Sequence, residues 1–384
     1  MSEDSFTEVS QQSWFGRISG AIKGIVVGLI LFVVAFPLLF WNEGRAVKRY
    51  KTLKEGGGIV VSVAADQVDA ANQGKLVHVT GKADTEEILK DPVFGVSAGA
   101  IKLRRSVEMY QWSETVSSET KKKLGGSTET VSTYSYEKKW SENAISSAGF
   151  KETVGHQNPG ALPYQSSEQV AELVSLGAFQ LSSSQLQGMT NYTPLVLTDI
   201  EGLPESLGEK VKIHEMGMYI GEDRAVPQVG DIRVAFKVVK PSQVSVVAKQ
   251  LGNTFEPYRS EVGGSIELLQ IGTHSADSMI QSAQDANKMM TWMLRVVGCV
   301  VMGIGLSMIL KPLSVVADVL PILGDILGAG AGLIAFLLAG VLSMLTVAIA
   351  WFVYRPVVAV VLIGVAAGLF WLIAVKLKTA KAAA

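Results

Sequence analysis

The chain reads as a membrane α-helical protein with a large strand-rich α+β domain outside the lipid. Three observations predict this class. From Ile326 to Val375 the only charged residue is Arg355, and Gly24 to Trp41 carries no charge at all. Between the two apolar ends lie roughly 245 mostly polar residues with stretches of apolar alternation, enough for one large domain or two small ones.

A bilayer core takes about 20 apolar residues. Tyr354-Arg355-Pro356 breaks the C-terminal run, because proline cannot continue a helix, leaving expected spans at 331–354 and 356–375. Val296 to Leu310 is extended by Trp292 to Leu294, with Arg295 expected to snorkel to the interface, which places a span at 291–310. The first span, 21–41, is too long for a signal-peptide core and ends in Leu38-Leu39-Phe40-Trp41 with no small-residue cleavage site. It is expected to be a permanent anchor. Four spans result, one N-terminal and three C-terminal, with a tail (1–20) before them and a basic tail (376–384) after.

Lysine and arginine number 34 against 35 acids, a net charge of −1. Nothing here points to nucleic acid as a partner. The single cysteine, Cys299, lies inside the second span and excludes an intramolecular disulfide framework. Orientation is contradictory on charge alone. Arg45, Lys48, Arg49, Lys51 and Lys54 follow the first span, which argues for a cytoplasmic domain; Lys376, Lys378 and Lys381 at the far end argue for the opposite.

In the domain (42–290), Ala46 to Leu53 prolongs the first span, and Ala276 to Met290 leads helically into the second. Strands are expected at Gly58–Val63, Lys75–Thr80, Ile101–Met109, Tyr134–Trp140, Val211–Ile220, Asp231–Val239, Val244–Lys249 and Ser265–Ile271. Short helices are expected at Glu86–Lys90 and at Glu168–Leu176, the latter after a serine pair that could cap it. Ser117 to Thr130, rich in lysine, serine and glycine, reads as a hairpin tip or loop.

Residues 311–330 form an apolar linker holding Pro312, Asp318, Pro321 and Asp325. The plain reading is an interfacial amphipathic segment with its carboxylates in water. The alternative is a carboxylate pair, Asp318 and Asp325, lining an ion path, since acids at membrane depth are costly and often functional. Glycines recur every four residues at Gly20, Gly24 and Gly28, at Gly324, Gly328 and Gly332, and at Gly364 and Gly368. Such seams let helices approach closely and are read as packing or oligomerisation surfaces.

Gly95-Val96-Ser97-Ala98-Gly99 has the nucleophile-elbow pattern but precedes a strand, where the motif needs a helix to follow. The four histidines, including His156, show no metal spacing. No catalytic residue, metal or cofactor is therefore implied. Leu103 to Trp112 is the richest stretch of the domain; Arg104, Tyr110 and Trp112 form a candidate interaction face.

Trp41-Asn42-Glu43-Gly44-Arg45-Ala46, Gly74-Lys75-Leu76-Val77-His78, Leu103 to Trp112, Gly155-His156-Gln157-Asn158-Pro159, Val229-Gly230-Asp231-Ile232-Arg233-Val234 and Tyr354-Arg355-Pro356 occur in this order. Together they resemble the LUMA family, also called transmembrane protein forty-three, from about Gly16 to the last span. The resemblance implies four spans with the large domain between the first and second, on the lumenal side of the endoplasmic reticulum or nuclear inner membrane. It also implies a self-associating organiser, linked in animals to lamins and emerin and without an accepted catalytic activity. A bacterial or other non-animal member is expected, so nuclear partners are not carried over. The function expected is a non-enzymatic scaffold whose partners are the bilayer, itself and other membrane proteins; the alternative is an ion channel or transporter component.

Overall fold

Ser13, in extended backbone, accepts the Gly16 amide and starts a helix that does not stop at the membrane boundary. The computed structural model describes residues 4–197, 211–214 and 217–361. Its helices are α1 (Trp14–Ile59), the short α2 (Ser183–Gly188), α3 (Ala276–Ala317) and α4 (Pro321–Tyr354). At 1.5 Å per residue α1 is about 69 Å long, over twice a hydrocarbon core. It runs antiparallel to the similarly long α3, whose N-cap is Ser275. The polar ends of both helices leave the bundle and enter the domain.

Among the described residues, α1, α3 and α4 are long and apolar enough to cross a membrane, so three spans stand where four were expected. The expected fourth, 356–375, is helical at 356–361 and otherwise lies outside the described residues, as does the tail 376–384. Residues 311–330 comprise the last turns of α3, a three-residue turn and the first turns of α4. In the bundle Ala35 and Leu39 meet Met302 and Ala339, with Phe32 and Phe36 edge to face beside them.

The strands that matter most are β1 (Ser5–Gln12), β2 (Val61–Val63), β3 (Leu76–Asp84), β4 (Ile88–Lys90), β5 (Ser97–Gly99), β6 (Lys102–Lys122), β7 (Thr128–Ser141) and β8 (Ser167–Val170). One sheet runs β1-β7-β6 and on through Ile232–Val239, Gly217–Ile220 and Val211–His214, with β8 on the other edge of β6. The second centres on β3 paired antiparallel with Ser242–Leu251. Alternation sets the layers. Val77, Val79, Val244 and Val246 face Leu103, Val107, Val234 and Phe236 of the first sheet in one core. The opposite side of the second sheet, Leu76 and Val247, packs on Leu53 of α1 and on Met279 and Ile280 of α3. Sheet, sheet and helix ends are therefore stacked, and the domain is bolted to the bundle through apolar contact.

Two expected helices are strands. Glu168–Leu176 holds β8 and the two-residue strand Ser175–Leu176, and Glu86–Lys90 contains β4. In both places a neighbouring strand offers a ladder, Lys102↔Val170 to Arg105↔Ser167 and Ile88↔Gly99 to Lys90↔Ser97, and tertiary pairing overrides weak helix propensity. The N-terminal tail, expected only as a tail, is β1, registered on β7 from Ser5↔Ser135 to Gln12↔Thr128.

β6 and β7 extend beyond the sandwich as a hairpin arm, with β1 as its third strand. Its tip, Lys123–Ser127, meets the bundle at the end opposite the domain. Arg17 Nη1 of α1 donates to Gly126 O at 2.5 Å, and the Gly125 amide donates to Val319 O at 3.1 Å.

Candidate functional site

The site is built where the helices leave the bundle for the domain. On α1, Asn42, Glu43 and Arg45 follow directly on the apolar segment; on α3, Asn287, Thr291 and Arg295 recur every fourth residue and so share one face. Glu43 is fully buried, yet its two oxygens accept from Arg295 Nε at 2.6 Å, Arg295 Nη2 at 2.9 Å and Trp351 Nε1 of α4 at 2.8 Å. Three helices converge on one carboxylate. A buried acid without such partners would be prohibitive.

One turn towards the domain a second network follows. Asn42 Nδ2 donates to Thr291 O at 3.0 Å and Asn287 Nδ2 to Ala46 O at 3.0 Å. Arg45 donates to Asn287 Oδ1 at 3.1 Å and to Asn42 Oδ1 and Thr291 Oγ1 at 3.2 Å each. Gly44 sits against Tyr354: a Cβ there would lie 2.6 Å from the phenol ring, and Phe40 stacks tilted on the same ring at 5.2 Å. Trp41-Asn42-Glu43-Gly44-Arg45-Ala46 and Tyr354-Arg355-Pro356, far apart in sequence, are thus one locus. Arg295 does not snorkel outward. Its guanidinium pairs inward with Glu43 and lies 4.7 Å over Trp292, because a carboxylate within reach outweighs a climb to the headgroups.

The family model of transmembrane protein 43 matches residues 109–356. The rat protein named Transmembrane protein 43 is 36% identical over 369 residues, 93% of this chain and 90% of its own. The chain belongs to the transmembrane protein 43 family. The human Transmembrane protein 43 is 35% identical over 370 residues, 93% of this chain and 91% of its own, and a Drosophila melanogaster homologue 32% identical over 347 residues, 88% and 90%. No solved structure matches. These relatives are animal proteins and lend no support to the expected bacterial or non-animal source.

In this transmembrane protein 43 family member the glycine series divide. Gly28 is a crossing point inside the chain, where a Cβ would sit 2.7 Å from Gly305 O of α3, and Gly24 lies beside Met308. A Cβ at Gly324 would collide with Asp318, and one at Gly328 would come 2.8 Å from Ser314 Oγ, so both serve the α3–α4 turn. Among the described residues, nothing lies within 4 Å of a Cβ at Gly20 or Gly332. Gly364 and Gly368 lie outside the described residues.

The acids Asp318 and Asp325 are brought together, but by a lysine. Lys122 Nζ, at the arm tip, donates to Asp318 Oδ1 at 2.6 Å and Asp325 Oδ1 at 2.7 Å, while Arg17 pairs with the other oxygen of buried Asp318 and donates to Gly126 O. Partial burial pulls the Lys122 ammonium down, but hydrogen bonds and charge from the two aspartates outweigh this and hold it above its ordinary value. A raised folded value means the contribution is complete below the ordinary lysine range, near 10.4, and is lost as pH rises through the folded value. Hydrogen exchange at the Gly125 amide, corrected for its intrinsic pH dependence, should therefore be flat from neutral pH to about 9 and accelerate in strong alkali. Acceleration on moderate acidification instead would refute this clamp.

Arg104, Tyr110 and Trp112 share the outer side of β6 but do not form one patch. Each has its own aromatic: Arg104 lies 5.9 Å over Tyr192, Tyr110 is 5.1 Å from Trp140, and Trp112 meets His156 edge-on at 4.6 Å. His156 is buried, stacked at 3.9 Å on Tyr136, with Nε2 2.8 Å from Asp4 Oδ2 and Nδ1 3.0 Å from Glu152 O. Both ring nitrogens are occupied. Burial, then the Tyr136 hydrogen bond to Glu114, pushes that phenol up to about 12. Ser97 lies in β5, an exposed strand paired with β4, and is not on a strand-to-helix elbow.

Sequence reasoning missed the junction, although it leaves a signal: Asn287, Thr291 and Arg295 form a polar stripe on one face of an otherwise apolar helix. The stripe is uninterpretable alone, because its partner, Asn42-Glu43-x-Arg45, is some 250 positions away.

Proposed function

We propose that this protein is a non-enzymatic membrane scaffold that self-associates and holds its strand-rich domain rigidly at the membrane surface, on the non-cytoplasmic side, for contact with other copies and other membrane proteins. One observation carries the reading: the arm. The domain touches α1 at Leu53 while the arm tip touches it at Trp14, against Gly126, and at Arg17, so the arm passes the whole apolar segment Gly24–Trp41. β6 beyond Met109 spans about 44 Å at 3.4 Å per residue, long enough for this course.

The arm is Ser- and Thr-rich with interspersed Glu and Lys, and among the described residues it has two open edges, β1 and β6 beyond Trp112. Lipid cannot satisfy such edges; only protein can. A second copy of the chain supplies it. Light scattering of the purified full-length protein in mild detergent and in nanodiscs is expected to give an oligomer; a strict monomer in both would sink the proposal. The channel alternative rested on Asp318 and Asp325, and no observation favours it, since both carboxylates are engaged with Lys122 and Asp318 with Arg17 as well.

A further inference from the structure

Four of the five basic residues that follow the first apolar segment divide between two tasks. Arg45 belongs to the junction, and Arg49 donates to Ser265 O at 2.6 Å. Lys51 and Lys54 instead line a cavity of about 690 Å³, together with Lys288, Arg295 and Arg355. Lys288 also holds the exposed Asp285 at 2.9 Å, and Arg295 is committed to Glu43. No carboxylate among the described residues lines the cavity. Among the described residues, none lies within ion-pair distance of Lys51, Lys54 or Arg355. Like charges gathered without counter-charge repel one another, so the cavity favours an anion.

Its floor is largely aromatic. Trp292, Arg295 and Trp351 are shared with a second cavity of about 470 Å³ between α3 and α4, walled by Leu39, Cys299, Met344 and Val347. The two cavities adjoin across these three side chains, one basic at the domain side and the other apolar along the bundle. Tryptophans ring the transition, where interfacial aromatics belong.

We propose that this space binds an anionic phospholipid, its phosphate on Lys51, Lys54 and Arg355 and one acyl chain in the slot between α3 and α4. A free phosphate would meet the cations but leave the slot empty. A neutral lipid would fill the slot but leave the cations unneutralised. The same assignment accounts for basic residues whose number contradicts the tail on orientation: they are placed for a ligand and need not report the side of the membrane.

The test uses the full-length protein in phosphatidylcholine nanodiscs doped with phosphatidylglycerol, with retained lipid counted by native mass spectrometry. Wild type is expected to keep phosphatidylglycerol over phosphatidylcholine by about tenfold, and K51Q/K54Q/R355Q to lose that preference. Gly340 lines the slot, and among the described residues a Cβ there meets nothing within 4 Å. Gly340→Leu should therefore fold normally and release the lipid while all the cations remain. Equal retention of both lipids, or a triple variant that retains like wild type, overturns the proposal. Displacement by excess inorganic phosphate would reduce the site to one for a bare anion and overturn it equally. If the triple variant fails to fold, R355Q and Gly340→Leu decide between the same two outcomes.

Discussion

Glu43→Ala is expected to destabilise the protein by about 3–5 kcal/mol, the cost of breaking a buried ion pair from one side. The loss falls on what remains: Arg295 keeps its charge at 16% side-chain exposure, and Trp351 Nε1 loses its acceptor. Replacing both charges with well-packed apolar residues, Glu43→Leu with Arg295→Met, should recover most of the loss, because desolvation then no longer has to be compensated. Thermal unfolding of wild type, both single variants and the double in one detergent gives the coupling directly. If Glu43→Ala costs less than about 1 kcal/mol, the carboxylate is hydrated and the three-helix convergence is not a structural centre.

A chemical bridge between the arm tip and the α3–α4 turn is expected to form in native membranes. In a Cys299→Ala background, Leu124→Cys and Val319→Cys place thiols beside the 3.1 Å contact from the Gly125 amide to Val319 O, within reach of a short bismaleimide. Bridged chains should run as the oligomer, since only neighbouring protein can enclose polar strands at the depth of an apolar helix segment. The contrary result is equally sharp. No bridge, with the two thiols labelled from opposite sides by an impermeant maleimide, would confine the arm to the domain's side of the bilayer and remove the principal support for self-association.

Much of this architecture is legible in the sequence. The helical continuations at Ala46–Leu53 and Ala276–Met290 can be read because composition changes there without a helix breaker; α1 and α3 run through both. Alternation announces the first part of β6, up to Met109, including Arg105 on the side of Leu103 and Val107, but neither its continuation to Lys122 nor the buried partner of Arg105, Asp91 at 2.5 Å. The failures are local sequences whose state depends on a distant strand. Glu168–Leu176 has weak propensity either way and becomes extended because β6 offers it a ladder. The arm tip is legible as a turn, but nothing in Ser117–Thr130 tells what it touches.

Hydropathy by itself determined that this is a membrane protein, because transfer of apolar side chains from water depends on composition and length and hardly on neighbours. Period-two alternation likewise determined which faces of the central strands are buried. What only the tertiary structure decided is the pairing of charges: Arg295 with Glu43 rather than with headgroups, Lys122 with two aspartates, and Lys51, Lys54 and Arg355 gathered without a counter-ion. Coulomb energy and desolvation act over a few ångströms, so they are set by which residues meet in space, and separations of some 200 positions along the chain carry no trace of that.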